Sequence, residues 1–245
     1  MINLSTPSQQ MLDELNADLE RIEYWQHRWH TGKDWILKGR EYRKRWNEER
    51  KPFLTERHEY ISQLGNRWYC FDIPFWPEGF NDLMMLQSSF IYYETYASIG
   101  AFIPKYWMNK ETNLMEDACV IYTSHFFERY CERLKIPFRS REMVLEFASI
   151  IAFNPIQDDT DKDGRPVVVS RIPKAGFTYG VRRKDNPNVY EMRTFLSDKN
   201  MTPTKLRRYE ELRERVDDES FIAESYNLSV WGSIYKKNNM PKPKE

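Results

Sequence analysis

Val167-Val168-Val169-Ser170-Arg171-Ile172-Pro173-Lys174-Ala175-Gly176-Phe177-Thr178-Tyr179-Gly180-Val181-Arg182 is the stretch that sets the fold class. The β-branched run from Val167 to Ile172 reads as a strand, Pro173 to Gly176 as a turn, and Phe177 to Arg182 as a second strand. Lys184-Asp185-Asn186-Pro187-Asn188 is another turn, and Val189 to Leu196 a third strand. Short turns between consecutive strands predict an antiparallel meander.

Working outward, Thr202-Pro203 starts a helix carrying Leu206, Tyr209, Leu212 and Val216, and a last short helix is expected over Ser220 to Val230. Upstream, Met143, Val144, Phe147, Ile150 and Ile151 recur at helical spacing within Ser140 to Phe153. Ser124 to Leu134 reads as a helix capped by Thr123 or Ser124, with Phe126, Phe127, Tyr130 and Leu134 on its core face. Ala118 to Tyr122 is a brief strand or the lead-in to that helix. Phe80 to Ile99, apolar and aromatic throughout, reads as a buried helix, and Gly100 to Asn113 as a loop around Pro104. Arg67 to Trp76 is extended.

At the start of the chain, Thr6-Pro7-Ser8-Gln9 carries the marks of a helix N-terminus. Leu12, Leu15, Leu19, Ile22, Gln26 and Trp29 then form a seam spaced by threes and fours. A second charged helical segment from about Trp35 to Leu64 offers Trp35, Tyr42, Trp46, Phe53, Tyr60 and Leu64 to pack back on the first. The expected fold is therefore α+β. A helix-rich N-terminal part with a long helical hairpin precedes a three-stranded antiparallel meander and C-terminal helices. Residues 1–65 would be the hairpin arm, 66–235 an α+β globular domain, and 236–245 a mobile tail.

Composition narrows the class. The 245 residues are 40% hydrophobic and 30% charged, a globular balance. The formal net charge is zero, which argues against a histone-like coat for nucleic acid. Between Arg165 and Arg215, however, 13 Lys and Arg face 6 Asp and Glu, a local excess able to attract a polyanion. No run approaches the ~20 apolar residues of a membrane span, and the first ten residues lack the features of a signal peptide. Cys70, Cys119 and Cys131 are far apart, with no CxxC spacing. That usage suits a reducing, cytoplasmic compartment and neither a zinc cluster nor a disulfide framework.

Chemistry concentrates in the helix at 124–134. His125, Arg129 and Arg133 fall at i, i+4 and i+8 and form one polar stripe. Such a row becomes favourable when an anion faces it, either a carboxylate of the same chain or a phosphate. RNA supplies its own nucleophile, so a metal-free ribonuclease needs little beyond a proton shuttle, cationic stabilisers and an orienting hydroxyl. On the strands, Arg193, Thr194, Tyr179, Arg182 and Tyr190 stand within reach of a covering helix.

A helix opening His-x-x-x-Arg-x-x-x-Arg, followed by a small antiparallel sheet ending in Val189-Tyr190-Glu191-Met192-Arg193-Thr194-Phe195-Leu196-Ser197, resembles ribonuclease toxins of the barnase–EndoU–colicin–RelE type. The resemblance spans about residues 118–197. It implies catalytic His125, Arg129, Arg133 and Thr194, with Arg182, Arg183 and Arg193 binding RNA.

Asp159-Thr160-Asp161-Lys162-Asp163-Gly164 matches the front half of a calcium loop through Asp159, Asp161 and Asp163. The match stops there, because the twelfth position is Ser170 where a bidentate glutamate belongs. No metal and no cofactor are expected, and His27, His30 and His58 lack ligand spacing. Two functions follow. One is a metal-independent, toxin-like ribonuclease built on the stripe. The other is a non-enzymatic interaction or assembly protein, of a phage or mobile element, that docks a partner or a second copy through residues 1–64.

Overall fold

The computed structural model describes residues 1–30, 33–49, 55, 58–75, 84–94, 99–108, 115–136, 143–144, 147 and 154–217. Two helices, α1 (Ser8–His30) and α2 (Lys33–Glu49), precede five strands: β1 (His58–Ile61), β2 (Arg67–Phe75), β3 (Met84–Glu94), β4 (Ile99–Met108) and β5 (Met115–Tyr122). Helix α3 (Ser124–Leu134) follows, then β6 (Ile156–Thr160), β7 (Pro166–Ile172), β8 (Gly176–Arg182) and β9 (Val189–Ser197). Two short helices, α4 (Pro203–Arg208) and α5 (Glu210–Asp217), end the described chain.

All nine strands belong to one sheet in the order β1-β2-β3-β4-β5-β9-β8-β7-β6. The pairing is antiparallel except between β5 and β9, which run parallel. β7, β8 and β9 pair antiparallel with their turns where the sequence places them, but the expected three-stranded meander is overturned: these are inner strands of a nine-stranded sheet, with β6 beyond β7 and β5 beside β9. Helix α3 lies in the crossover that leads from β5 towards β9. Parallel neighbours need such a connection, because a tight turn only reverses the chain.

Both sheet faces are covered, and the strands show it residue by residue. Along β5, Ala118, Val120 and Tyr122 enter one apolar cluster while Cys119 and Ile121 enter another. Phe90 and Tyr92 of β3 point to the first face and Ile91 to the second. The first face is filled by Phe126, Phe127, Tyr130 and Cys131 of α3, Tyr42 and Trp46 of α2, and Met143, Val144 and Phe147. The second face takes Met11, Leu12, Leu15, Leu19 and Ile22 of α1. Beyond α1, the same face holds a third cluster in which Met201, Tyr209, Leu212 and Val216 cover Val169 and Phe177.

This arrangement corrects the expected architecture in three places. Leu12, Leu15, Leu19 and Ile22 of α1 and Tyr42 and Trp46 of α2 insert into clusters on opposite sides of the sheet, and the expected second helix does not reach Leu64, because Tyr60 lies on β1, so the two helices form no hairpin. The helix expected over Phe80 to Ile99 is overturned where the chain is described: Met84–Glu94 is β3 and Ile99 opens β4. A strand buried on both faces is a continuous apolar run, and without alternation the helix and strand periods look alike. Gly100 to Asn113 is not a loop up to Met108, because β4 pairs Pro104 with Cys119 and Lys105 with Ala118. The expected helix at 220–230, the tail at 236–245 and most of the helix at 140–153 lie outside the described residues, although Met143, Val144 and Phe147 are helical.

Two glycines let the strands close up. A Cβ on Gly176 would stand 2.1 Å from the Leu196 carbonyl oxygen and 2.7 Å from the Phe195 ring. One on Gly180, beside the β8–β9 bulge, would stand 2.3 Å from the Glu191 carbonyl oxygen. Backbone cannot yield as a flexible side chain does. Gly176→Ala is therefore expected to cost about 2 kcal/mol in urea unfolding. Gly164→Ala meets no neighbour among the described residues, and its loss is the smaller one set by its positive φ.

Candidate functional site: the outer face of α3

Thr123 starts α3 by accepting the Phe126 N–H on its hydroxyl, and Lys135 ends it in the left-handed conformation, φ 57°. The helix start is pinned to two strands. The Ser124 hydroxyl donates to the Ile99 carbonyl at 2.7 Å, and the Thr123 hydroxyl donates to the Met192 carbonyl at 3.3 Å. With its aromatic face buried, the other side of the helix is left to solvent.

His125, Arg129 and Arg133 do share that outward side, as the spacing requires, and acids of the same helix answer two of them. Glu128 Oε2 is 3.4 Å from His125 Nδ1, and Arg129 Nη1 donates to Glu132 Oε2 at 2.8 Å. Both are i, i+3 pairs. The i, i+1 relation of these acids to the stripe hides a contact one turn away. The His125 and Arg129 side chains are 59% and 42% exposed. Pairs this open contribute little to stability. The third cation differs, because Arg133 Nη1 is buried and meets no hydrogen-bond partner among the described residues. Beside the stripe, Glu128, Cys131, Glu132, Lys135 and Ile136 line a shallow depression of about 380 Å3. Its two carboxylates disfavour a phosphate. Burial raises the Cys131 thiol above its ordinary range, which works against a nucleophilic role.

The remaining expected residues do not join the stripe. Thr194 pairs with Tyr179 across β8–β9, on the sheet face turned away from α3, while its neighbour Phe195 points into the α3 cluster. Arg183 is held on that far side by the carbonyls of Leu4 at 2.6 Å and Thr6 at 3.0 Å, and by Glu191 at 3.4 Å. Arg193 donates to the same Glu191 at 2.9 Å. Arg182 sits over the Tyr190 ring and donates twice to Asp158, at 2.9 and 2.8 Å, and also to the Pro187 carbonyl and the Tyr190 hydroxyl. Asp158 thereby holds the Arg182 guanidinium in its charged form. The sheet thus stands between His125 and Thr194, and each of the three expected RNA-binding arginines is engaged by the chain itself.

The acidic turn also has internal work. Asp161 Oδ1 accepts the backbone N–H of Asp163 at 2.8 Å and of Arg165 at 2.9 Å, and the Arg165 bond leads the effects that lower its pKa. Asp163 pairs with Arg165 at 3.8 Å, while Asp159 turns away to Arg208 and the Tyr209 hydroxyl. Among the described residues no group of three His, Cys, Asp or Glu is placed to hold a metal ion.

Two polar clusters escaped sequence reading. Asp18, fully buried on α1, accepts Asn66 Nδ2 at 2.8 Å and the Trp68 indole N–H at 2.9 Å. Arg171, 1% exposed, reaches both Asp198 and Asp217. Arg171 did carry a signal, as the one charge within a β-branched run. Asp18 carried a weaker one, an acid between the apolar positions Leu15, Leu19 and Ile22.

No family model, no curated protein and no solved structure matches the chain. Among the described residues no helix is long and apolar enough to cross a membrane.

Proposed function

We propose that the chain works by protein–protein contact, associating with a second copy of itself through a corner built from residues 1–64. One observation carries the reading. The large hydrophobic side chains left exposed among the described residues are Met1 (73%), Tyr24 (66%), Ile61 (64%) and Leu64 (43%), and all four lie within residues 1–64. Ile61 precedes and Leu64 lies within the β1–β2 turn, which Ser62 N–H closes on the Asn66 carbonyl at 3.0 Å. Met1 lies against Gly65 of that turn. Arg21 Nη1 donates to Gln63 Oε1 at 2.8 Å, so the helix that carries Tyr24 is tied to the same turn. Large apolar side chains left exposed in one region mark contact sites, and a two-fold needs one self-complementary patch. Free, buried Cys70, Cys119 and Cys131 support a reducing, cytoplasmic setting.

Light scattering on the full chain tests this. The mass of the wild type is expected to rise with concentration towards two chains. Ile61→Glu combined with Leu64→Glu should hold it at one chain with an unchanged circular dichroism spectrum. A wild type that stays at one chain throughout overturns the reading.

A further inference from the structure

The C-terminal helices are attached unlike any other described part of the fold. Residues 201–217 contribute Met201, Tyr209, Leu212 and Val216 to the third apolar cluster and nothing to the other two. At six and eight residues, α4 and α5 are too short to persist as helices on their own. The polar attachment runs through carboxylates. Asp217 accepts Arg171 Nε at 3.0 Å and Nη2 at 2.6 Å, together with the Lys174 backbone N–H at 2.8 Å. Asp198, in the turn that precedes the segment, takes Arg171 Nη1 at 2.5 Å and Nη2 at 2.9 Å. Further along, Asp159 of β6 holds Arg208 and the Tyr209 hydroxyl. The Tyr209 ring lies 5.3 Å from Phe177 and 6.1 Å from Tyr179, and Lys205 stands over Tyr179.

Burial disfavours the charged guanidinium of Arg171, and its two aspartates outweigh that effect and raise its pKa. With Asp217 removed, the buried cation loses half its acceptors, and hydrating it requires lifting α5. An apolar cluster separate from the main core, closed by a charge clasp, is the anatomy of a unit that opens by itself.

We propose that residues 201–217 form a latched strap. It opens as one unit about the turn at Asp198–Asn200, uncovering Val169, Phe177, Tyr179 and Leu196 while the rest of the sheet stays folded. Arg171–Asp217 is the latch and Asp159–Arg208 the second hold.

Native-state hydrogen exchange on the full chain tests the proposal, with Asp217→Asn and, at the exposed second hold, Arg208→Ala. In the wild type, α4 and α5 amides should exchange at least ten-fold faster than those of β4 and β5. Each variant should speed the strap amides further, Asp217→Asn by ten-fold or more, and leave β4 and β5 unchanged. Strap and central-strand amides that exchange at one common rate overturn the proposal. So does a strap whose rate neither variant alters. Should Asp217→Asn not fold, Arg208→Ala decides by the same criterion.

Discussion

Asp18→Ala is expected to destabilise the whole chain by about 3 kcal/mol in urea unfolding, with the slope unchanged. The carboxylate is fully buried and serves two buried donors, Asn66 Nδ2 and the Trp68 indole N–H. Removing it leaves both without acceptors, and an unmet buried donor costs about 1–3 kcal/mol. The same network fixes the start of the chain, since Asn66 Oδ1 accepts the Ile2 N–H at 2.7 Å and Ser62 Oγ accepts the Asn66 N–H at 3.2 Å. Helix α1 is thus bonded to β2 as well as packed on the sheet, and its loss is felt globally. A solvated arm gives another result: a surface substitution on it changes stability by no more than about 0.5 kcal/mol. Asp18→Asn separates shape from charge. It keeps one acceptor for the two donors and should cost less than alanine.

Lys105 governs the second large effect, which appears in the pH dependence. The residue lies half-buried on β4 opposite Ala118 of β5, and burial lowers its amine from the ordinary lysine range to about 7. Below pH 7 the amine is protonated in the folded and unfolded chains alike, and the burial penalty is present in full. Between pH 7 and about 10.4 the unfolded chain binds the proton and the folded chain does not, so stability rises with pH. Above that window both forms are neutral and the penalty is gone. Lys105→Met has no such slope. Subtracting the unfolding free energy of the variant from that of the wild type should give a difference that climbs by up to about 4 kcal/mol from pH 7 to pH 10. Taking the difference cancels the tyrosines and buried thiols that also titrate there. A flat difference would contradict an amine that loses its proton near pH 7 in the folded chain.

What could be read from the sequence follows burial. The strands β7, β8 and β9 and the helix α3 were legible because each carries its own local signals. Gly176 and the Asp185–Asn188 turn bound the strands, and Thr123 caps the helix. The strands β3 and β4 were not legible, because Phe90-Ile91-Tyr92 and Ala101-Phe102-Ile103 are apolar on both faces, and alternation shows only when one face is wet. The seams of α1 and α2 were visible, but a seam does not name its partner. That Leu15 meets the sheet's second face while Trp46 meets the first depends on strands far along the chain. The polar stripe was legible as geometry, and its distance from Thr194 was not. Helical spacing puts His125, Arg129 and Arg133 in a row, whereas the side of the sheet on which Thr194 falls depends on a bulge between Tyr179 and Gly180 that no local pattern announces.

Labelled RNA incubated with the purified full chain, with and without chelator and beside His125→Ala, tests the central claim most directly. That claim is that the sheet keeps the groups of the expected ribonuclease apart. No cleavage above buffer, alike for wild type and variant, is the predicted result. Cleavage that His125→Ala abolishes while the fold is retained would contradict it.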